Sequence, residues 1–194
     1  MRTIEIYGTD IITEDRQLTR EVTNLMIEIK HPNLGYPIPG SGWSMEALDV
    51  YSDQIMDPKD KGFVYDYGSR LARGGQIPHV VEMLRKEHTT RRAILSTRVL
   101  EKDMVEQHTP CLQIVEFLHR QGKLNMTCYF RSHDIKAAYP ANIYGLYRLL
   151  ESIALLAEMK PGSITTISAS AHYYVELNKC LKFNGRKSAQ RLRE

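Results

Sequence analysis

Between Leu124 and Arg131 the chain alternates without a break. Leu124, Met126, Cys128 and Phe130 fall on one side, and Asn125, Thr127, Tyr129 and Arg131 on the other. Successive side chains of a β-strand point to opposite faces, so the segment reads as a strand with one buried face and one wetter face. Such a strand is stable only within a sheet whose apolar side is covered by other elements. The preceding Arg120-Gln121-Gly122-Lys123 is a turn, and Ala93 to Thr97 and Leu112 to Leu118 are further extended segments. Downstream, Asn142 to Glu158 carries Ile143, Leu146, Leu150, Ile153, Ala154 and Ala157 as an apolar stripe at helical spacing. Pro161-Gly162 closes that connection, and Ser163 to Ala171 is another strand.

The rest of the chain is read the same way. Thr3 to Tyr7 is expected to be a short strand. Leu18, Val22, Leu25, Met26 and Ile29 recur at helical spacing, which predicts an amphipathic helix over Gln17 to Lys30. His31 to Gly42 is rich in proline and glycine and reads as a loop. A helix carrying Met45, Leu48 and Ile55 follows. After Gly74-Gly75 comes another, with Ile77, Val80, Val81 and Leu84 on one face and Pro78 in its first turn. A final short helix leads into a basic tail, about 182–194. Strands and helices mixed without strict alternation predict an α+β fold, one mixed sheet with packed helices in a single domain spanning 1–194. The 42% hydrophobic content supports one core of that size.

Several classes are excluded or left without support. No run reaches the roughly 18 apolar residues of a membrane helix, and Met1 to Ile6 does not resemble a secretion signal. The three cysteines, Cys111, Cys128 and Cys180, are widely spaced with no C-x-x-C pair, so neither a zinc site nor a disulfide framework is indicated. A reducing, cytoplasmic setting is expected, in which a lone thiol stays free. The net charge of +3 suits an anionic small substrate as well as a nucleic acid.

Cys111 follows Pro110 at a strand entrance. Proline cannot donate a ladder bond, so the next side chain is expected at an edge of the sheet. A cysteine nucleophile needs partial exposure and nearby positive charge; the competing reading is a small core residue. Cys128, on the apolar face of its strand, reads as an inert buried thiol. His108 is given no role. Arg131-Ser132-His133-Asp134 ends the alternating strand, and an arginine fork with a serine hydroxyl suits a phosphate; a solvated strand end is the alternative. Arg91-Arg92 poses the same choice. Asn142 is by default the N-cap of its helix, but its amide could instead read a base edge. His172 and Tyr174 are core residues or hydroxyl-binding groups.

Taken together, Pro110-Cys111, Arg131-Ser132-x-Asp134, Pro140-x-Asn142 and His172-x-Tyr174 resemble the thymidylate synthase family in order and in the spacing from arginine to asparagine. Tyr67-Gly68 and Arg91-Arg92 are similar to further landmarks of that family. The details look nearest to its short archaeal-type synthases and to the related pyrimidine-nucleotide hydroxymethylases. The resemblance implies that Cys111 attacks C6 of a pyrimidine ring, so that C5 takes a one-carbon unit from 5,10-methylenetetrahydrofolate or methylene-tetrahydromethanopterin. It implies that Arg131 and Ser132 hold the 5′-phosphate, with Arg131 also stabilising the thiolate. Arg91 and Arg92 would reach the phosphate in the other subunit of a homodimer. Asn142 would read the base, His172 and Tyr174 the sugar, and Asp134 the pterin, with Tyr67 assisting proton removal from C5. The family's cytosine-specific members carry aspartate where Asn142 stands, which points to uracil.

Departures from the family pattern are equally specific. Leu112 stands where a histidine commonly follows the cysteine, Gly75-Gln76 replaces Asp-Gln, and Ala169-Ser170-Ala171 replaces Gly-Asp-Thr. Glu46 is the only candidate offered for the family's glutamate acid/base. The chain ends in a basic tail rather than the apolar segment that closes over the folate and keeps water from an exocyclic methylene. The leading expectation is methylation of dUMP to dTMP. The alternatives are 5-hydroxymethylation of dUMP or of a cytidine nucleotide, also suggested by the small Ala171 near the sugar site, and a nucleic-acid-binding protein on a retired enzyme fold.

Overall fold

A computed structural model describes residues 1–32, 40–59, 66–106 and 108–175. Cys180, the expected final helix and the basic tail lie outside the described residues. The elements are α1 (Arg2–Tyr7), β1 (Thr9–Ile12), β2 (Leu18–Ile29), α2 (Met45–Met56), α3 (Tyr67–Ala72), α4 (Gln76–Lys86), β3 (Ile94–Ser96), α5 (Leu100–Asp103), β4 (Leu112–Arg120), β5 (Lys123–Phe130), β6 (His133–Asp134), α6 (Tyr139–Leu156) and β7 (Pro161–Tyr174). All strands join one mixed sheet in the order β1-β2-β7-β5-β4-β3, with β6 alongside β7. The β5–β7 and β6–β7 pairs are parallel and the remaining pairs antiparallel. Parallel neighbours need a crossover connection, and α6 supplies it between β6 and β7.

The alternation in β5 sorts as its pattern requires. Leu124, Met126, Cys128 and Phe130 are buried in the core beneath α6, while Tyr129 and Arg131 are exposed. The α6 stripe is buried against the same face, and Val80, Val81 and Leu84 of α4 extend the core. The helix α2 crosses α6 at Gly145, where a Cβ would come within 2.6 Å of Ile55 Cδ1 and 3.4 Å of Ser52 Cα. That close approach brings Tyr51, next to Ser52 on α2, against Asn142, one turn before Gly145.

Two expectations are overturned. Residues 18–29 form the twelve-residue strand β2, not a helix. Leu25, Ile27 and Ile29 alternate toward the core as strand residues do, and Val22 also packs there. Asn24 lies between them at φ 55, a kink that shifts the phase of alternation. The apolar residues therefore fall at spacings of three and four that imitate a helix, whereas Thr19, Val22, Thr23, Ile27 and Ile29 carry β-branched side chains that favour a strand. Residues 2–7 form the short helix α1 rather than a strand. Ile4 alone is buried there and Ile6 is exposed, so the apparent alternation never described two faces.

A third expectation is corrected in detail. β4 lies between β3 and β5, so Cys111 sits at the mouth of an interior strand and not on a lateral edge of the sheet. The three-residue β3 pairs with Ile114 to Glu116, and Thr97 just after it donates to the carbonyls of Gln113 and Leu112, so the neighbouring chain stops one residue short of Cys111.

Candidate active site

Cys111 is half-buried immediately before β4, and the end of β5 holds it in place. The Arg131 N–H donates to the Cys111 carbonyl at 2.9 Å, its Nε to Pro110 O at 3.1 Å and its Nη2 to Thr109 O at 2.8 Å. These three bonds fix the loop that presents the thiol. On the other side, the Leu112 N–H donates to the Tyr67 hydroxyl at 3.3 Å. Tyr67 opens α3, whose first turn is pressed onto the end of α2: a Cβ on Gly68 would stand 2.0 Å from Asp57 O. Only glycine permits that approach.

Above the thiol lies a cavity of about 500 Å³. Cys111, Tyr67, Ser132, Asp134, Asn142, His172 and Tyr174 all line it. The volume is ordinary for a site that takes a small organic molecule. Seven sequence-predicted residues thus converge, although they span more than a hundred positions of the chain. Arg131 stands beside the cavity rather than in its lining. Arg91 and Arg92 are exposed just before β3, away from it. Glu46 is exposed in the first turn of α2 and is not part of the lining. Ala171 is buried in the core and is not part of the lining.

Tyr51, Gln54, Asp66 and His133 also line the cavity and were not singled out from the sequence. Of these His133 carried a signal, a histidine between two site residues at a strand end. Tyr51 and Gln54 sit on the flank of a helix whose apolar spacing marks only its core side.

Asn142 is not the N-cap of α6. The helix begins three residues earlier, with Pro140 in its first turn, and Asn142 is 4% exposed. Its Oδ1 accepts from the Tyr51 hydroxyl at 2.6 Å, and its Nδ2 lies 3.1 Å from His133 Nε2. The other ring nitrogen, His133 Nδ1, is 3.0 Å from Ser168 Oγ, and the ring stacks on Phe130 at 3.8 Å. Asp134 Oδ1 accepts from the N–H groups of Lys136 and Ala137, both at 2.9 Å, which shapes the turn into α6 and leaves its second carboxylate oxygen as further acceptor capacity. His172 is buried, 3.3 Å from Ser170 Oγ, and its ring meets Tyr174 edge-on at 5.4 Å. Burial, then the negative charge of Asp134 and of Cys111, hold the Tyr174 phenol above its ordinary value.

Burial, with the His172 charge adding to it, pushes His133 down to about 3. The imidazole is therefore neutral at pH 7 and has one N–H to give. A stability effect follows from the sign of the shift. Between pH 6.5 and about 3 the unfolded chain binds this proton and the folded chain does not, so stability falls as the pH is lowered through that window. The slope from this one group is up to about 1.4 kcal/mol per pH unit. Urea midpoints measured from pH 4 to 7 should drop more steeply for the wild type than for His133→Phe; parallel slopes would refute the assignment.

Among the described residues no cluster of three histidine, cysteine or carboxylate side chains is arranged to hold a metal ion, and no helix is long and apolar enough to cross a membrane.

A half-buried cysteine at a strand mouth and a buried amide thus line one cavity of small-molecule size. The chain belongs to the thymidylate synthase family, whose sequence pattern matches residues 43–191. That family transfers a one-carbon unit to C5 of a pyrimidine and uses a folate-type donor. The chain is 41% identical over 176 residues to a provisionally assigned thymidylate synthase of Methanosarcina barkeri, covering 88% of this chain and 81% of the relative. A provisionally assigned thymidylate synthase of Methanothermobacter marburgensis is 38% identical over 186 residues, covering 86% and 83%. The crystal structure of thymidylate synthase from T4 phage superposes with a TM-score of 0.74 at 18% identity, covering 96% of this chain and 79% of the phage chain.

Proposed function

We propose that the protein methylates dUMP to dTMP, with Cys111 as the C6 nucleophile. One observation carries this reading: Cys111 and Asn142 line one cavity, and the amide, after its bonds to Tyr51 and His133, keeps one N–H and one carbonyl lone pair for a ligand. One donor beside one acceptor complements the O4 and N3–H edge of uracil.

In this reading the Cys111 thiolate adds to C6 and makes C5 nucleophilic. Tyr67 assists loss of the C5 proton, and the thiolate leaves as the C5–C6 double bond is restored. The pterin, when bound, supplies the methylene carbon and then the hydride. Asp134 suits it chemically, because a carboxylate only accepts and the pterin's amino and N3–H edge only donates. Ser132 and Arg131 receive the 5′-phosphate; two of the five guanidinium N–H groups are engaged with Thr109 and Pro110, which leaves three. His172 and Tyr174 face the sugar.

A homodimer is part of the proposal. Met26, Ile167, Tyr129 and Ile114 are direct cross-strand neighbours on the sheet face away from the helices. Met26, Tyr129 and Ile114 are exposed there, and a contiguous apolar face of that kind marks an interface. In this reading Arg91 and Arg92, exposed and outside the lining of their own chain's cavity, reach the phosphate bound by the partner subunit.

Incubation with dUMP and a methylene-tetrahydropterin, run with the folate and the methanopterin forms in parallel, should give dTMP and oxidised pterin. Product mass is the deciding measurement. A 5-hydroxymethyl nucleotide without pterin oxidation would overturn the methylation step, and turnover of dCMP or CMP but not dUMP would overturn the base assignment.

A further inference from the structure

We propose that His133 is a positioning residue that fixes which way round the Asn142 amide faces the bound base, and so makes the cavity discriminate uracil-type from cytosine-type rings. The inference rests on the reading of Asn142 as the base-contacting residue and adds a determinant that the family resemblance does not assign.

An asparagine amide turned through 180° exchanges its donor and its acceptor. A free Asn142 would meet the acceptor–donor edge of uracil in one orientation and the donor–acceptor edge of cytosine in the other. Here the amide is not free. Nδ2 is 3.1 Å from His133 Nε2, Oδ1 accepts from Tyr51, and the residue is buried. Turning the amide would set its oxygen against Nε2, which repels unless Nε2 carries the proton. The other end of the ring offers a place for that proton. Nδ1 lies 3.0 Å from Ser168 Oγ, a buried hydroxyl that can accept its N–H. With the proton on Nδ1, Nε2 is an acceptor and only the observed orientation is compatible with it. The ring has no room to swing: it stacks on Phe130 at 3.8 Å and 13° and leans on Tyr139 at 5.1 Å. At neutral pH it holds a single proton, so it cannot donate from both ends. In the proposed arrangement Ser168 accepts the Nδ1 proton, Nε2 then accepts from the Asn142 amide, and the amide so held sets the edge offered to the base.

The test compares binding of dUMP and dCMP by calorimetry in the wild type, His133→Phe and Ser168→Ala. Phenylalanine keeps the stack on Phe130 and removes the acceptor; alanine leaves the imidazole and removes its anchor, a milder change that keeps the question open should the first variant fold poorly. The preference for dUMP over dCMP should fall by about tenfold or more in His133→Phe and by a smaller factor in Ser168→Ala. The ¹⁵N shifts of the His133 ring should report an Nδ1–H tautomer in the wild type and a mixture in Ser168→Ala. An unchanged preference in a folded His133→Phe, or a wild-type ring protonated on Nε2, overturns the inference while leaving the dUMP reading intact. Wild-type protein that binds neither nucleotide overturns the reading of the site, and the inference with it.

Discussion

Cys111→Ser is expected to lower turnover of dUMP by at least about 10³-fold, the scale on which loss of a covalent nucleophile is felt. The substitution changes one atom at a half-buried position whose backbone is held from outside by Arg131, so the loop and the cavity should keep their shape. A serine hydroxyl is far less ionised than a thiol at neutral pH and is correspondingly poor at adding to C6. Binding should survive, because the groups assigned to phosphate, sugar and base are untouched. The measurement is therefore paired: steady-state turnover falls, while the calorimetric dUMP affinity stays within about threefold. Near-normal turnover in this variant would defeat the covalent mechanism altogether.

Arg70→Ala should cost about 3–5 kcal/mol of stability, because it strands a buried carboxylate. Arg70 Nη1 lies 2.9 and 3.0 Å from the two oxygens of Asp103 and 3.2 Å from Thr97 O. The side chains are 7% and 1% exposed. Asp103 also accepts from the Val99 N–H at 2.7 Å. With the guanidinium gone, that single donor is a poor substitute for water around the charge. The double variant Arg70→Met/Asp103→Leu removes both ions and should recover most of the loss, as buried pairs replaced by apolar groups often do. Urea unfolding of wild type, single and double variants separates these outcomes; a single-variant loss below about 1 kcal/mol would mean the pair behaves as a surface one. Arg70 lies in α3 with Tyr67, so the destabilised variant should also lose activity.

Much of the site was legible because its chemistry comes in short, rigidly spaced pieces. Arg131 and Ser132 follow the end of β5, Asp134 lies in the adjoining β6, and Asn142 follows eight residues after Asp134 on the first turns of α6. A strand end and a helix start convert such spacing into nearly fixed geometry. Tyr51 and Asp66 have no such link to the motif. Tyr51 meets Asn142 across a sequence separation of 91 residues, through a crossing that depends on Gly145 having no side chain. Nothing near Tyr51 in the sequence announces that meeting. The strand β2 was misread for a local reason: one left-handed residue, Asn24, reset a two-residue period, and the resulting three- and four-residue gaps matched a helix.

By itself the sequence determined which face of β5 and which stripe of α6 would be buried, because their periods of two and 3.6 follow from backbone geometry alone. It also determined the order of the chemical groups and, through them, the family. Tertiary structure decided that Cys111 lies at an interior strand mouth braced by Arg131, that Asn142 is pinned between Tyr51 and His133 rather than capping a helix, and that Glu46 stays outside. Those outcomes depend on contacts between elements far apart in the chain, where close packing and the need of each buried polar atom for a partner select one arrangement. Local spacing carries no record of that selection.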